Sequence, residues 1–317
     1  MKQARQGLPR PKGAAQALRV PAATISHYVN AACSAATRRA YAADVGHFMA
    51  AGYRVPCRDT DVAAYLAECG ASLAPATLRR RLVAIQRAHV ALGKPSPVTS
   101  PLVKTVMRGI VRSRGAVQRR VKAVDKALLC RLLKVVDATA TTTLARVRNR
   151  ALLLLGFAGA FRRSELVAIN VGDLAIDRGG LLVTVRRSKT DQQARGRTVP
   201  IPRAQGPYCP VRALQHWLRC SGIDRGPVFR PIDRYGHVSA QALSGQRVAT
   251  VVKVAVAAVG LDPREFAGHS LRVGYVTTAT VANQPLWQIK QVTGHRSDDV
   301  VAGYVRLAGP SRPRSLL

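Results

Sequence analysis

The chain has 317 residues, of which 50 are Lys or Arg and 16 are Asp or Glu, for a formal net charge of +34. That length accommodates two domains with a core each, and a basic excess of this size points to nucleic acid as partner, because a merely solvated surface is usually balanced by acidic residues. The excess is not a tail effect: residues 1–126 carry 22 basic and five acidic side chains, and residues 127–317 carry 28 and 11.

Residues 1–22 hold Lys2, Arg5, Arg10, Lys12 and Arg19 among Pro9, Pro11 and Pro21. Such a composition cannot bury a core and predicts a basic flexible tail without the apolar stretch of a signal peptide. Residues 23–113 show helical periodicity. Tyr41, Val45, Phe48 and Met49 form one apolar stripe, and Val62, Tyr65, Leu66 and Cys69 a second. A third, opened by Pro75, runs through Leu78, Leu82 and Ile85, and a fourth carries Val103, Val106, Met107, Ile110 and Val111. The third helix places Arg79, Arg80, Arg81 and Arg87 largely on its other faces with no acid nearby in sequence, which makes them candidate DNA contacts as well as a solvated face.

Residues 114–126 are basic and poor in large apolar side chains, and predict an interdomain linker in which Arg119, Arg120 and Lys122 run close to phosphates. Helices resume from 127 onward with Leu128, Leu129, Leu132, Leu133 and Val136. The apolar run Ala151–Phe161 follows; it is about half a membrane span and predicts a buried helix. Arg162 then stands where a helix C-cap is expected, with Glu165 as its ion-pair neighbour three residues on. The alternation Leu181–Val185 returning through Arg197–Ile201 predicts a β-hairpin with Lys189 at its turn, a position usually occupied by a surface residue. Val211, Leu214 and Trp217 mark one further helix and Val248, Val252 and Val256 another. The expected fold is mainly α, an all-helical N-terminal domain followed by a mixed α+β domain over 127–317. The cysteines, at 33, 57, 69, 130, 209 and 220, have no C-x-x-C spacing, which argues against a zinc site and for reduced thiols.

The most informative stretch is Phe266–Val305. Gly268-His269-Ser270-Leu271-Arg272 puts His269 and Arg272 three apart, on one face if helical, so that both can address one anion. Gly294-His295-Arg296-Ser297 follows, and Tyr304 comes nine residues after His295. With Gly-x-x-x-Arg-x-Ser-Glu-Leu around Arg162 and Ser-Lys-Thr-Asp-Gln around Lys189, the chain resembles the tyrosine recombinase (phage integrase) family over roughly residues 24–306.

The resemblance implies that Arg162, Lys189, His269, Arg272, His295 and Tyr304 are catalytic and that Glu165 supports them. It implies a helical core-binding domain ahead of the catalytic domain, double-stranded DNA as substrate, and a homotetramer assembled on two sites. In that family the tyrosine attacks a phosphodiester and forms a 3′-phosphotyrosine. The arginines and His295, at a position where some members use Trp, steady the phosphate charge; the first histidine assists the tyrosine and the lysine protonates the departing 5′ oxygen. The ester conserves the bond energy, so no metal, nucleotide or other cofactor is expected, and the setting implied is the bacterial cytosol and nucleoid. Two other readings stay open: a type IB topoisomerase, which shares the chemistry, and a silent DNA-binding protein. After Tyr304, Gly309-Pro310 is a helix stop and Leu316-Leu317 a small apolar plug, which predicts a protein monomeric in solution that assembles only on DNA.

Overall fold

The computed structural model describes residues 32–115, 121–140, 142–186, 196–295 and 297. Of the candidate residues, Arg119, Arg120, Lys189 and Tyr304 lie outside these, as does the basic tail. The chain divides into two compact units, Met1–Arg119 and Arg120–Leu317.

Among its described residues the first unit is all helical: α1 (Ala35–Ala50), α2 (Asp59–Gly70), α3 (Pro75–Ala91) and α4 (Pro101–Arg114). Each start is encoded locally. Ser34 Oγ accepts the Thr37 N–H, the Asp61 carboxylate accepts the Arg58 N–H, and prolines occupy the first positions of α3 and α4, where no amide partner is needed. Helix α1 packs on α3 and α2 on α4, around Phe48, Tyr65, Leu66, Leu78, Ile85 and Val103. One predicted stripe is corrected: Met49 is 55% exposed, and the buried neighbour of Phe48 on α1 is Asp44, 3% exposed.

Asp44 also revises the arginine run. Arg80 donates to it through Nε at 2.7 Å and Nη2 at 2.8 Å, and Arg81, itself buried, donates through Nη1 to the Tyr65 hydroxyl at 2.7 Å. A carboxylate 36 residues away in sequence therefore engages Arg80, and two of the three adjacent arginines hold α3 to its neighbours. Arg79 is exposed, and Arg87 lies 5.5 Å from the Tyr41 ring centre.

The second unit opens with an extended segment. The Lys122 N–H donates to Glu265 O at 2.9 Å and the Val124 N–H to Ser270 O at 3.0 Å, so this part of the predicted linker belongs to the unit itself. Lys122 Nζ also pairs with Glu265 at 2.6 Å. Helices α5 (Lys126–Thr139) and α6 (Thr143–Ala158) follow, then α7 (Arg163–Ala168) and a sheet of β1 (Leu174–Ile176), β2 (Gly180–Val185) and β3 (Arg197–Pro202). Helices α8 (Pro210–Ser221), α9 (Gly245–Ala258), α10 (Ser270–Val281) and α11 (Leu286–Thr293) complete it.

Helix α6 contacts α5, α8 and α10, and its buried run Ala151–Leu155 reflects a helix covered on most sides. The sheet is antiparallel in the order β1-β2-β3, with Val183 opposite Val199 and Val185 opposite Arg197. Leu181, Val183 and Val185 point into the core while Leu182 faces out, as strand alternation requires. Strand β1 carries no alternating signal in its three residues and is legible only through its pairing with β2. Trp217 is fully buried and donates Nε1–H to Val228 O at 2.8 Å, a core position.

The packing of α10 on the opening segment depends on Gly274, where a Cβ would meet Val124 O at 1.7 Å. Gly274→Ala is expected to destabilise the protein by about 3 kcal/mol, since both sides of the contact are backbone and neither can rotate away. Chemical denaturation measures this; a loss below about 1 kcal/mol would show that the segment shifts freely.

Candidate active site

Helix α6 stops at Ala158, short of the Phe161 expected from the apolar run. Gly159 is needed there because a Cβ would collide with the Phe161 ring at 2.1 Å. Ala160 then adopts φ +45°, a left-handed conformation that costs an Ala about 1 kcal/mol or more. The turn directs Ala160 O to Arg272, whose Nη1 donates to it at 2.8 Å. Arg162 is consequently not a C-cap of α6. It is the N-cap residue of α7, and its N–H donates to Glu165 Oε2 at 3.0 Å.

The expected ion pair is present: Arg162 Nη1 donates to Glu165 Oε1 at 2.6 Å, and Glu165 is 3% exposed. Its second oxygen receives Arg197 Nη2 at 2.9 Å. Arg197, the first residue of β3, also donates Nη1 to Val292 O in the last turn of α11 at 2.5 Å. Burial lowers the Arg197 pKa, against which the Glu165 charge works. Sequence reading assigned Arg197 only to a strand. The sole available signal is a basic residue at the mouth of a hairpin, which by itself marks nothing.

His269 occupies the N-cap position of α10 and Arg272 lies in its first turn, where Arg272 is fully buried. Arg272 Nη2 approaches His295 Nε2 at 2.8 Å. Guanidinium has no acceptor, so Nε2 accepts and the His295 proton sits on Nδ1. Burial, then Arg272 and Arg162, pushes His269 down to about 4; burial and the same two guanidiniums push His295 down to about 3. Both imidazoles are neutral near pH 7 in the DNA-free protein, which leaves them able to accept a proton. His295 is delivered by Gly294, at φ +65°, where a Cβ would also meet Arg197 Nε at 2.8 Å.

Arg162, Glu165, His269, Arg272 and His295 thus form one electrostatically coupled cluster. The cluster combines guanidinium donors with neutral imidazoles, a set suited to an anionic group that gains charge as it reacts. Lys189 and Tyr304, the other two expected catalytic residues, lie outside the described residues. At the end of β2, Arg186 Nε donates to buried Asp173 at 2.5 Å. In the first unit, Arg79, Lys104, Arg108 and Arg112 line a groove of about 750 Å³ floored by Leu82, Val103 and Met107. The spacing of four between Lys104, Arg108 and Arg112 puts them on one side of α4, a basic stripe that the apolar reading of that helix passed over. Among the described residues no cluster of three or more His, Cys, Asp or Glu is placed to hold a metal ion, and no helix is long and apolar enough to cross a membrane.

The buried imidazoles have a consequence for stability. Between about pH 6.5 and 4 the unfolded chain takes up protons at His269 and His295 that the folded chain refuses, so stability falls as pH falls through this window. From pH 7 to pH 5 the loss is expected to be on the order of 1–2 kcal/mol per imidazole, and smaller in a His269→Gln/His295→Gln variant. Urea titrations at the two pH values measure it, and equal slopes for both proteins would show that the imidazoles titrate normally.

Comparison with known proteins identifies the family. The phage integrase family matches residues 125–309, which contain the whole cluster. An integrase/recombinase xerD homolog of Selenomonas ruminantium is 39% identical over 233 residues, 72% of this chain and 67% of that protein. Tyrosine recombinase XerC of Pelotomaculum thermopropionicum is 30% identical over 166 residues, 51% of this chain and 50% of that protein. Among solved structures, XerH site-specific recombinase bound to palindromic difH substrate in a post-cleavage complex superposes with a TM-score of 0.60 at 16% identity, over 80% of this chain and 70% of that one. A lambda integrase dimer bound to a COC′ core site gives 0.59 at 16% identity, over 92% of this chain and 78% of that one. These two likenesses establish a shared fold, and the family match with the 39% identical relative establishes descent. A coupled set of arginines and neutral histidines, carried on that fold and within the matched residues, identifies the chain as a member of the phage integrase family, an enzyme of the tyrosine recombinase class that carries out site-specific recombination.

Proposed function

We propose that the protein cleaves and rejoins double-stranded DNA through a 3′-phosphotyrosine at Tyr304. The observation that carries this reading is the coupling of Arg162 and Arg272 with two imidazoles held neutral in one cluster. Arg162 and Arg272 clamp the nonbridging oxygens of the scissile phosphate, and His295 adds a donor through its protonated nitrogen. Neutral His269 assists removal of the tyrosine proton, which at an ordinary pKa near 10 would otherwise stay in place. Lys189 protonates the departing 5′ oxygen, and Glu165 orients Arg162.

Duplex DNA as partner is supported by the charge of +34 and by relatives whose structures contain DNA sites. The domain assignment proposed is a basic tail over 1–22, a helical DNA-binding domain over 23–113, a linker ending before Lys122 and a catalytic domain that begins with the extended segment at Lys122. Phosphate contacts in the first domain come from Arg79 and Arg87 and from the α4 stripe of Lys104, Arg108 and Arg112; Arg80 and Arg81 contribute less because Asp44 and Tyr65 already engage them. Arg119 and Arg120 supply further phosphate contacts; Lys122 contributes less because Glu265 already engages it. The active assembly is a homotetramer on two sites.

The test is incubation of purified protein, in EDTA and without ATP, with two DNAs that each carry the candidate site. Exchange of flanking arms is expected. Relaxation of supercoils alone would favour a topoisomerase, and a mobility shift alone a DNA-binding protein without activity.

A further inference from the structure

We infer that Arg197 is a positioning residue for strand cleavage, tying Glu165, and through it Arg162, to the end of the helix that presents His295. This rests on the assignment of Arg162 and His295 to the reaction, and goes beyond it by naming what holds the two in register. Arg162 and His295 stand 133 residues apart in the numbering, on elements that reach one another only through the tertiary fold. Arg197 bridges them. Its Nη2 donates to Glu165 Oε2 at 2.9 Å while Glu165 Oε1 takes Arg162 Nη1 at 2.6 Å, and its Nη1 donates to Val292 O at 2.5 Å.

Three observations set this apart from an ordinary buried ion pair. Its acceptor on α11 is a carbonyl of the last helical turn, a group that has no intrahelical partner and that sits three residues before His295. Gly294 lies against the same guanidinium, so that a Cβ there would meet Arg197 Nε at 2.8 Å, and the backbone leading to His295 is seated on Arg197. Arg197 is also the first residue of β3, directly after the connection that carries Lys189, and it stands opposite Val185 in the register. The two segments that bear Arg162 and His295 therefore meet at one planar fork.

Only arginine serves here. A lysine offers a point charge that can pair with Glu165 but lacks the rigid geometry to hold a carboxylate and a carbonyl on different elements together. Burying the guanidinium has a cost, visible in its lowered pKa, that a surface strand residue would not incur. Movement of about 1 Å in a catalytic group costs on the order of 100-fold in rate, which sets the scale of the expected effect.

The experiment uses full-length Arg197→Lys, which keeps the charge. In the DNA-free protein, NMR follows the His295 imidazole; in the DNA-bound protein, single-turnover cleavage of a nicked suicide substrate and duplex affinity are measured. Because the charge is retained, a raised His295 midpoint reports displacement of the imidazole rather than lost repulsion. Expected are a rise of at least about one pH unit and cleavage about 30- to 100-fold slower, with affinity within about threefold. An unmoved His295 midpoint overturns the inference, as does cleavage within threefold of the wild type. Should the wild type itself leave the substrate uncut, the reading of strand cleavage fails and the NMR result alone decides the positioning. Should Arg197→Lys unfold, Arg197→Gln is compared with Glu165→Gln and with the double variant. Action through Glu165 requires the double variant to be no more than about threefold slower than the slower single, and multiplying effects overturn the inference.

Discussion

Tyr304→Phe is expected to bind its duplex site within a few-fold of the wild type and to form no covalent protein–DNA adduct. The substitution removes one oxygen, the proposed nucleophile, and leaves the ring and every proposed cationic phosphate contact in place. Among the described residues the cluster around Arg272 holds guanidiniums, imidazoles and a carboxylate already engaged by two arginines, none of which replaces a phenolic hydroxyl. Cleavage should fall below detection rather than slow, since loss of a nucleophile ends a covalent pathway whereas loss of a helper leaves the remaining stabilisation in force. A suicide substrate, nicked so that the released 5′ end diffuses away, traps the adduct, and denaturing gels resolve it. An adduct surviving in Tyr304→Phe would remove Tyr304 from the mechanism and leave the six-residue match without its nucleophile.

Arg272 is the second position of large effect. It is fully buried, donates to Ala160 O and His295 Nε2 at 2.8 Å each, and is the largest charge contribution to the depressed pKa of both imidazoles. Arg272→Ala removes the proposed phosphate donor, frees His295 and lets both imidazoles protonate more readily. Single-turnover cleavage should drop about 1000-fold or more, the scale of losing a preorganised donor to a developing oxyanion. Arg272→Lys should recover little of it, because one ammonium cannot satisfy Ala160 O, His295 and a phosphate in the geometry of a fork. Both variants should shift the His269 and His295 titrations upward in NMR, which a simple loss of folded protein would not do. Cleavage within about tenfold of the wild type in Arg272→Ala, at matched occupancy of the site, would reduce Arg272 to a structural role.

Both predictions depend on how the site was read. Local chemistry in the sequence determined the helices of the first unit, the β2–β3 hairpin, and the order and spacing of Arg162, Lys189, His269, Arg272, His295 and Tyr304. Helix periodicity, capping serines, N-terminal prolines and short motifs act over a few residues, so they are legible without a fold. Lys189 and Tyr304 rest on that reading alone.

The tertiary structure decided what lies between such segments. Asp44 is far from Arg80 in sequence and next to it in space, which turned an apparently uncompensated arginine run into a helix-to-helix anchor. Ala160 takes a left-handed turn whose carbonyl accepts a hydrogen bond from Arg272, 112 residues away in sequence, and that turn moved Arg162 from the end of one helix to the start of another. The linkage from Arg162 through Glu165 and Arg197 to Val292 joins three elements through side chains that no local pattern distinguishes. Periodicity reports which face of an element is apolar, and it is silent on buried polar groups, whose positions are set by partners brought together only when the chain has folded.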